Sequence, residues 1–168
     1  DDLLGHIYIE SSFEADAGNP ASTASGLIQM TEATAQHFAG MSAEQYRRLP
    51  DYKQVPSILK YFTTGKPMTG PDFRVLGYSR KLKYIGAPDE TIIYGAETKA
   101  AKGHPAVQDE NGAITMGAIR REWNRKINST AWGRMNVPAT DETPAAIGGL
   151  AILGTLVAFM WLRKGGNR

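Results

Sequence analysis

DDLLGHIYIESSFEADAGNPASTASGLIQMTEAT, residues 1–34, is the stretch whose reading decides the fold. Taken as a helix at about 100° per residue, its start puts positions 3, 7, 10 and 14 on one face. Leu3 and Ile7 make that face apolar, and Glu10 falls on the same stripe. A carboxyl group there is expected to be partly desolvated, which raises its pKa and holds it protonated near neutral pH. That is the state a general acid needs. A lone glutamate in such a place is more often a side chain reaching water from a helix edge. The neighbours therefore decide its meaning.

Glu10-Ser11-Ser12-Phe13 is followed by Asn19-Pro20-Ala21-Ser22, and then by Ala24-Ser25-Gly26-Leu27-Ile28-Gln29-Met30 with Thr34 beyond. The combined pattern closely resembles the lytic transglycosylases of the goose-lysozyme-like superfamily, most of all those of phage virions. Their signature is a helix ending in Glu-Ser-x-Phe, a loop of small residues, then Gly-Leu-x-Gln and a threonine. The resemblance implies a mostly α, lysozyme-like domain that cuts peptidoglycan glycan strands between N-acetylmuramic acid and N-acetylglucosamine. It implies that Glu10 is the sole catalytic carboxylate, first acid and then base, and that Ser11 helps to hold its side chain. Gln29 then binds the sugar near the scissile bond, with the Gly26-Leu27 backbone close against the substrate cleft. Glycine suits position 26 because only a residue without a side chain permits such an approach. Met30 is expected in the core.

Most glycosidases pair two carboxylates across the scissile bond. Members of the resembled family need one, because the 6-hydroxyl of N-acetylmuramic acid is the nucleophile and a 1,6-anhydro sugar is the product. Glu14 and Asp16 are accordingly read as solvated loop residues. The family's Ala-Tyr-Asn-Ala-Gly motif, whose tyrosine faces the glutamate, is missing. Tyr78, Tyr84 and Tyr94 are the candidates for that role, Tyr78 ahead of Tyr84, both being expected on one helix that crosses the cleft. Each is equally readable as an amphipathic core tyrosine.

Working outward, Ser42-Ala43-Glu44-Gln45 has the form of a capping box. Gly70-Pro71 opens a helix expected to run through Phe73, Leu76, Leu82 and Ile85 until Gly86-Ala87-Pro88 closes it. Further helices are expected over 89–101, ended by Gly103, and over 113–127. Strand signals are scarce. His6, His37 and His104 have no metal-ligand spacing, so neither a metal nor a cofactor is expected. Arg120, Arg121, Arg125 and Lys126 with Trp123 read as a solvated basic helix face; contact with anionic glycan or lipid head groups is the lesser reading.

The expected organisation is a lysozyme-like domain over 1–127, a polar linker over 128–143, a membrane-spanning helix over 144–163 and a basic tail over 164–168. Ala145–Leu162 is 18 residues long (162 − 145 + 1) and carries no charge, just enough for a bilayer core of roughly 17 to 25 apolar residues. Thr143 and Pro144 suit its start, and Arg163, Lys164 and Arg168 come after it. Positive residues favour the cytoplasmic side, so the domain is expected outside the cytoplasm, in a virion membrane or a bacterial envelope.

The 168 residues suffice for one small domain, and a net charge of +2 gives no bulk electrostatic case for nucleic-acid binding. With no cysteine, disulfide frameworks, thiolate metal sites and cysteine nucleophiles are excluded. The sequence begins without Met and without a secretory leader, as if entering partway along a helix; a processed chain and a longer natural one both remain open. Expected partners are peptidoglycan glycan strands, the lipid bilayer through 145–162, and other virion or envelope proteins. A role in phage genome entry fits best, a bacterial envelope enzyme second. The rival from another class is a structural or ejection protein that uses the same fold to bind the wall or line a conduit.

Overall fold

A computed structural model of the chain describes residues 2–129. They are mostly helical: seven α-helices, two 3-10 turns and one two-stranded sheet among the described residues. The expected membrane helix over 144–163, the basic tail over 164–168 and nearly all of the linker over 128–143 lie outside them. No described helix is long and apolar enough to cross a membrane.

The first helix, α1 (Asp2–Ser11), buries Leu3, Leu4 and Ile7. It ends at Ser11, so Glu14 does not continue its stripe. The described chain divides into two units, one made of residues 7–63 and the other of 2–6 with 64–129.

In the 7–63 unit, α2 (Glu32–Ala39) lies against α3 (Ala43–Arg47) and α4 (Asp51–Phe62). The capping box at the start of α3 is formed: Gln45 N–H donates to Ser42 Oγ at 3.1 Å, and Ser42 N–H donates to Gln45 Oε1 at 3.0 Å. Together they satisfy two amides that a helix start otherwise leaves without partners. Along α4 the buried positions are Gln54, Val55, Ser57, Ile58, Tyr61 and Phe62, one face of a helix. Gln54 is a polar residue where that period calls for an apolar one.

In the other unit, α5 (Gly70–Ser79) lies against α7 (Met116–Ser129). Gly70 is required by a close approach: a Cβ there would run into the Trp123 ring. α5 stops at Ser79 and not near Ile85, because Arg80 takes a left-handed φ of 55° and its N–H donates to Leu76 O. That single residue caps the helix without a glycine. The stretch 89–101 is not one helix. Ile92–Tyr94 forms β1, antiparallel to β2 (Ile114–Thr115), and only Lys99–Gly103 is helical, as α6. Thr98 sets the start of α6 by accepting from Ala101 N–H. β2 takes the first residues of the expected 113–127 helix, and α7 extends to Ser129. Val75, Tyr84, Ile93, Val107, Ile114, Met116 and Ile119 share one buried cluster.

Candidate active site

Glu10 sits in the last turn of α1, partly buried. Its neighbour Ser11 is buried, and the Ser11 hydroxyl lies 3.1 Å from Ile7 O and 2.9 Å from Leu27 O. One hydroxyl hydrogen serves both carbonyls. The shorter contact fastens the end of α1 to the Gly26–Gln29 segment, 16 residues away in sequence.

Past Ser11 the backbone departs from its ordinary regions. Ser12 and Phe13 have φ of 52° and 65°, and Gln29 has 51°. These are three of the four non-glycine residues with positive φ among the described residues, the fourth being Arg80. Such conformations cost about 1–2 kcal/mol each for a residue with a Cβ. Strain of this kind persists where surrounding contacts impose it, and it gathers at functional sites. The Phe13 ring is buried, 5.7 Å from the Tyr8 ring.

The small-residue loop is closed on the segment that follows α1 by backbone contacts. Asn19 N–H donates to Ala24 O at 2.9 Å, and Gly26 N–H donates to Ala17 O at 2.8 Å. Ser25 and Met30 exchange both of their backbone hydrogen bonds, at 3.0 and 2.9 Å, closing the turn Gly26–Gln29. Within it Gln29 N–H donates to Gly26 O at 3.1 Å. Leu27 and Met30 are buried, so the turn is anchored by apolar side chains on its inner side. Met30 is a core residue.

Gly26 is a position where glycine is needed twice over. Its φ is +77°, and a Cβ would stand 2.6 Å from both Gln54 Oε1 and the Tyr46 ring. The close neighbours on its Cβ side therefore belong to the protein itself. Gln29 Nε2 lies 3.1 Å from Gly26 O and 3.4 Å from Ala17 O. Its amide nitrogen is thus turned back onto the loop, which holds the side chain in one orientation. Glu14 and Asp16 are exposed. Thr34 stands in the first turn of α2, with its hydroxyl 3.0 Å from that of Thr31.

The structure thus gathers Glu10, Ser11, Gly26, Leu27 and Gln29 within the 7–63 unit. Tyr78 and Tyr84 belong to the other unit, and they do not share a helix. Tyr78 is on α5, partly buried, and its hydroxyl accepts from Arg74 Nη2 at 3.0 Å. Tyr84 is buried in a separate 3-10 turn (Leu82–Tyr84) because α5 has already ended. Tyr94, on β1, donates its hydroxyl hydrogen to Tyr78 O at 2.9 Å.

The residues missed by sequence reasoning are Gln54 and Tyr46, which line the Gly26 turn from inside. The signal for them was Gln54 on the apolar face of an amphipathic helix, since a buried amide must find partners. Burial also pushes the Tyr46 hydroxyl up to about 12.

In the other unit, His6 is buried against Phe73, and burial, with Arg74 and Lys126 nearby, holds its pKa well below the usual histidine value. No cluster of His, Cys, Asp and Glu able to hold a metal ion occurs among the described residues. On α7, Lys126 pairs with Glu122 and Arg120 with Asp89, while Arg121 and Arg125 are exposed.

Comparison with known proteins gives no match: no protein-family model, no curated protein and no solved structure.

Proposed function

We propose that the chain is a lytic transglycosylase of lysozyme-like fold, anchored in a membrane through 144–163, that cleaves peptidoglycan glycan strands. The observation that carries this reading is the contact of 2.9 Å between the Ser11 hydroxyl and Leu27 O. It joins the Glu-Ser helix end to the Gly-Leu-x-Gln turn, the two segments on which the resemblance rests. Backbone strain concentrated in the same two segments adds to it.

In the proposed reaction Glu10 gives its proton to the bridging oxygen as the bond from that oxygen to C1 of N-acetylmuramic acid breaks. The Glu10 carboxylate then takes the proton of the 6-hydroxyl as its oxygen bonds to C1. The products are a 1,6-anhydro end and a free 4-hydroxyl, and Glu10 is protonated again. No second carboxylate is called for, in keeping with the exposure of Glu14 and Asp16. Gln29 borders the sugar site, with the backbone of Gly26 and Leu27 behind it. A virion protein that opens the wall during genome entry is the setting this reading favours.

A zymogram on purified peptidoglycan with the full chain and with Glu10→Gln tests it. Clearing by the wild type and none by Glu10→Gln is expected. Equal clearing by both removes Glu10 from catalysis, and wall binding without clearing by either favours the non-catalytic rival.

A further inference from the structure

Gln54 is fully buried on α4, and both ends of its amide are engaged. Oε1 accepts from Leu27 N–H at 2.9 Å. Nε2 lies 2.8 Å from Ala15 O, 3.2 Å from Tyr46 O and 3.1 Å from Leu49 O. A primary amide has two N–H donors, so three carbonyls share them. One side chain thereby ties together the strand of chain leaving α1, the 26–29 turn, the end of α3 and the approach to α4.

Leu27 is where this reaches Glu10. Its N–H is held by Gln54, and its carbonyl receives the Ser11 hydroxyl at 2.9 Å. The order of contacts is Gln54, Leu27, Ser11, and Ser11 adjoins Glu10 in the last turn of α1. The missing side chain at Gly26 completes the arrangement, since a Cβ there would stand only 2.6 Å from Gln54 Oε1. We propose that Gln54 is a positioning residue for the Glu10 site: it sets the 26–29 turn, and through Leu27 and Ser11 the placement of the Glu10 carboxyl. The inference rests on the proposed role of Glu10 as acid and base.

A site whose reacting group is misplaced by about 1 Å loses rate by up to a hundredfold, with substrate binding affected less. Gln54→Met keeps the volume and removes every polar contact. Gln54→Glu keeps an acceptor but presents a carboxylate to three carbonyls at neutral pH. When protonated, the same glutamate has an acceptor and one O–H donor. Burial favours that form as pH falls.

The test is steady-state cleavage of soluble, uncrosslinked glycan strands by the full chain, at a temperature where thermal melts show each variant folded. Expected for Gln54→Met is a fall in kcat of about tenfold or more, with KM changed by less than about twofold. Expected for Gln54→Glu is low activity at about pH 7.5 that rises towards wild type as pH is lowered, giving a pH profile unlike that of wild type. Folded variants with wild-type kcat, or a Gln54→Glu profile that only scales the wild-type curve, overturn the proposal. An inactive wild type overturns the parent reading and this one with it, whereas an active wild type matched by its variants overturns this one alone. Should neither variant fold, amide exchange in the wild type decides. The Leu27 N–H must exchange only with global opening of the 7–63 unit, and exchange at the rate of an open loop overturns the proposal.

Discussion

Replacing Gly26 by alanine tests the inner lining of the turn. The new Cβ would lie 2.6 Å from Gln54 Oε1 and from the Tyr46 ring, in a residue held at φ +77°. The left-handed conformation costs alanine about 1–2 kcal/mol, offset by roughly 0.4–1 kcal/mol from the stiffer unfolded chain. Forcing buried neighbours aside costs about 1–3 kcal/mol. Moving Gln54 away leaves the Leu27 N–H buried without its acceptor, about 1–3 kcal/mol more. The expected loss is roughly 2–7 kcal/mol, a large share of a domain stability of about 5–15 kcal/mol. Gly40→Ala is the control. Its φ is +71°, but nothing lies within 4 Å of its Cβ position, so only the backbone terms apply. Urea unfolding monitored by circular dichroism gives both values. A Gly26→Ala loss no larger than that of Gly40→Ala would refute the claim that Gln54 and Tyr46, rather than the backbone angle alone, demand the glycine.

Ser11→Ala should cost about 1 kcal/mol in the same measurement, the worth of one hydrogen bond, and should lower glycan cleavage without abolishing it. An unchanged cleavage rate counts against the Ser11–Leu27 contact as part of the site. His6 has a depressed folded pKa, so the unfolded chain binds its proton more readily; stability is therefore full above about pH 6.5 and falls as pH drops below it, by about 1.4 kcal/mol per unit until the folded pKa is reached. Subtracting the urea stabilities of His6→Gln from wild type across roughly pH 4.5–7.5 isolates that slope, and a flat difference contradicts it. Arg74→Met leaves Glu122, whose side chain is 2 % exposed, with Lys126 as its remaining ion pair. With Lys126 still 2.8 Å from Glu122, a loss of about 1–3 kcal/mol is expected, short of the roughly 3–5 kcal/mol of a buried charge left alone, and a loss well below about 1 kcal/mol by urea unfolding removes that pair from the account.

Elements whose cause is local are legible in the sequence. The apolar stripe of Leu3 and Ile7 marks α1, and Ser42 with Gln45 marks the start of α3. Gly70-Pro71 marks the start of α5. Where a distant contact or an unusual backbone angle decides, the pattern misleads. Nothing in Ser79-Arg80-Lys81 announces that an arginine will take a left-handed φ, so the sequence points to an α5 that continues to Ile85, with Tyr84 on the same helix as Tyr78. Thr91-Ile92-Ile93-Tyr94 is rich in β-branched and aromatic residues, a strand signal, but it is short. Its partner, Ile114–Thr115, lies about twenty residues on, and the pairing replaces the single helix expected over 89–101. The candidate site divides in the same way. Glu10, Ser11, Gly26, Leu27 and Gln29 can be named because together they form the spacing on which the resemblance rests. The physical need for Gly26, by contrast, comes from Gln54 and Tyr46, which only folding brings to it.

The central claim is that Glu10 works without a second carboxylate because the substrate supplies the nucleophile. Mass spectrometry of the fragments released from purified peptidoglycan tests it most directly. The account predicts 1,6-anhydro ends from the wild type, none from Glu10→Gln, and undiminished release from Glu14→Gln and Asp16→Asn. Reducing ends in their place, or equal release by wild type and Glu10→Gln, would contradict it.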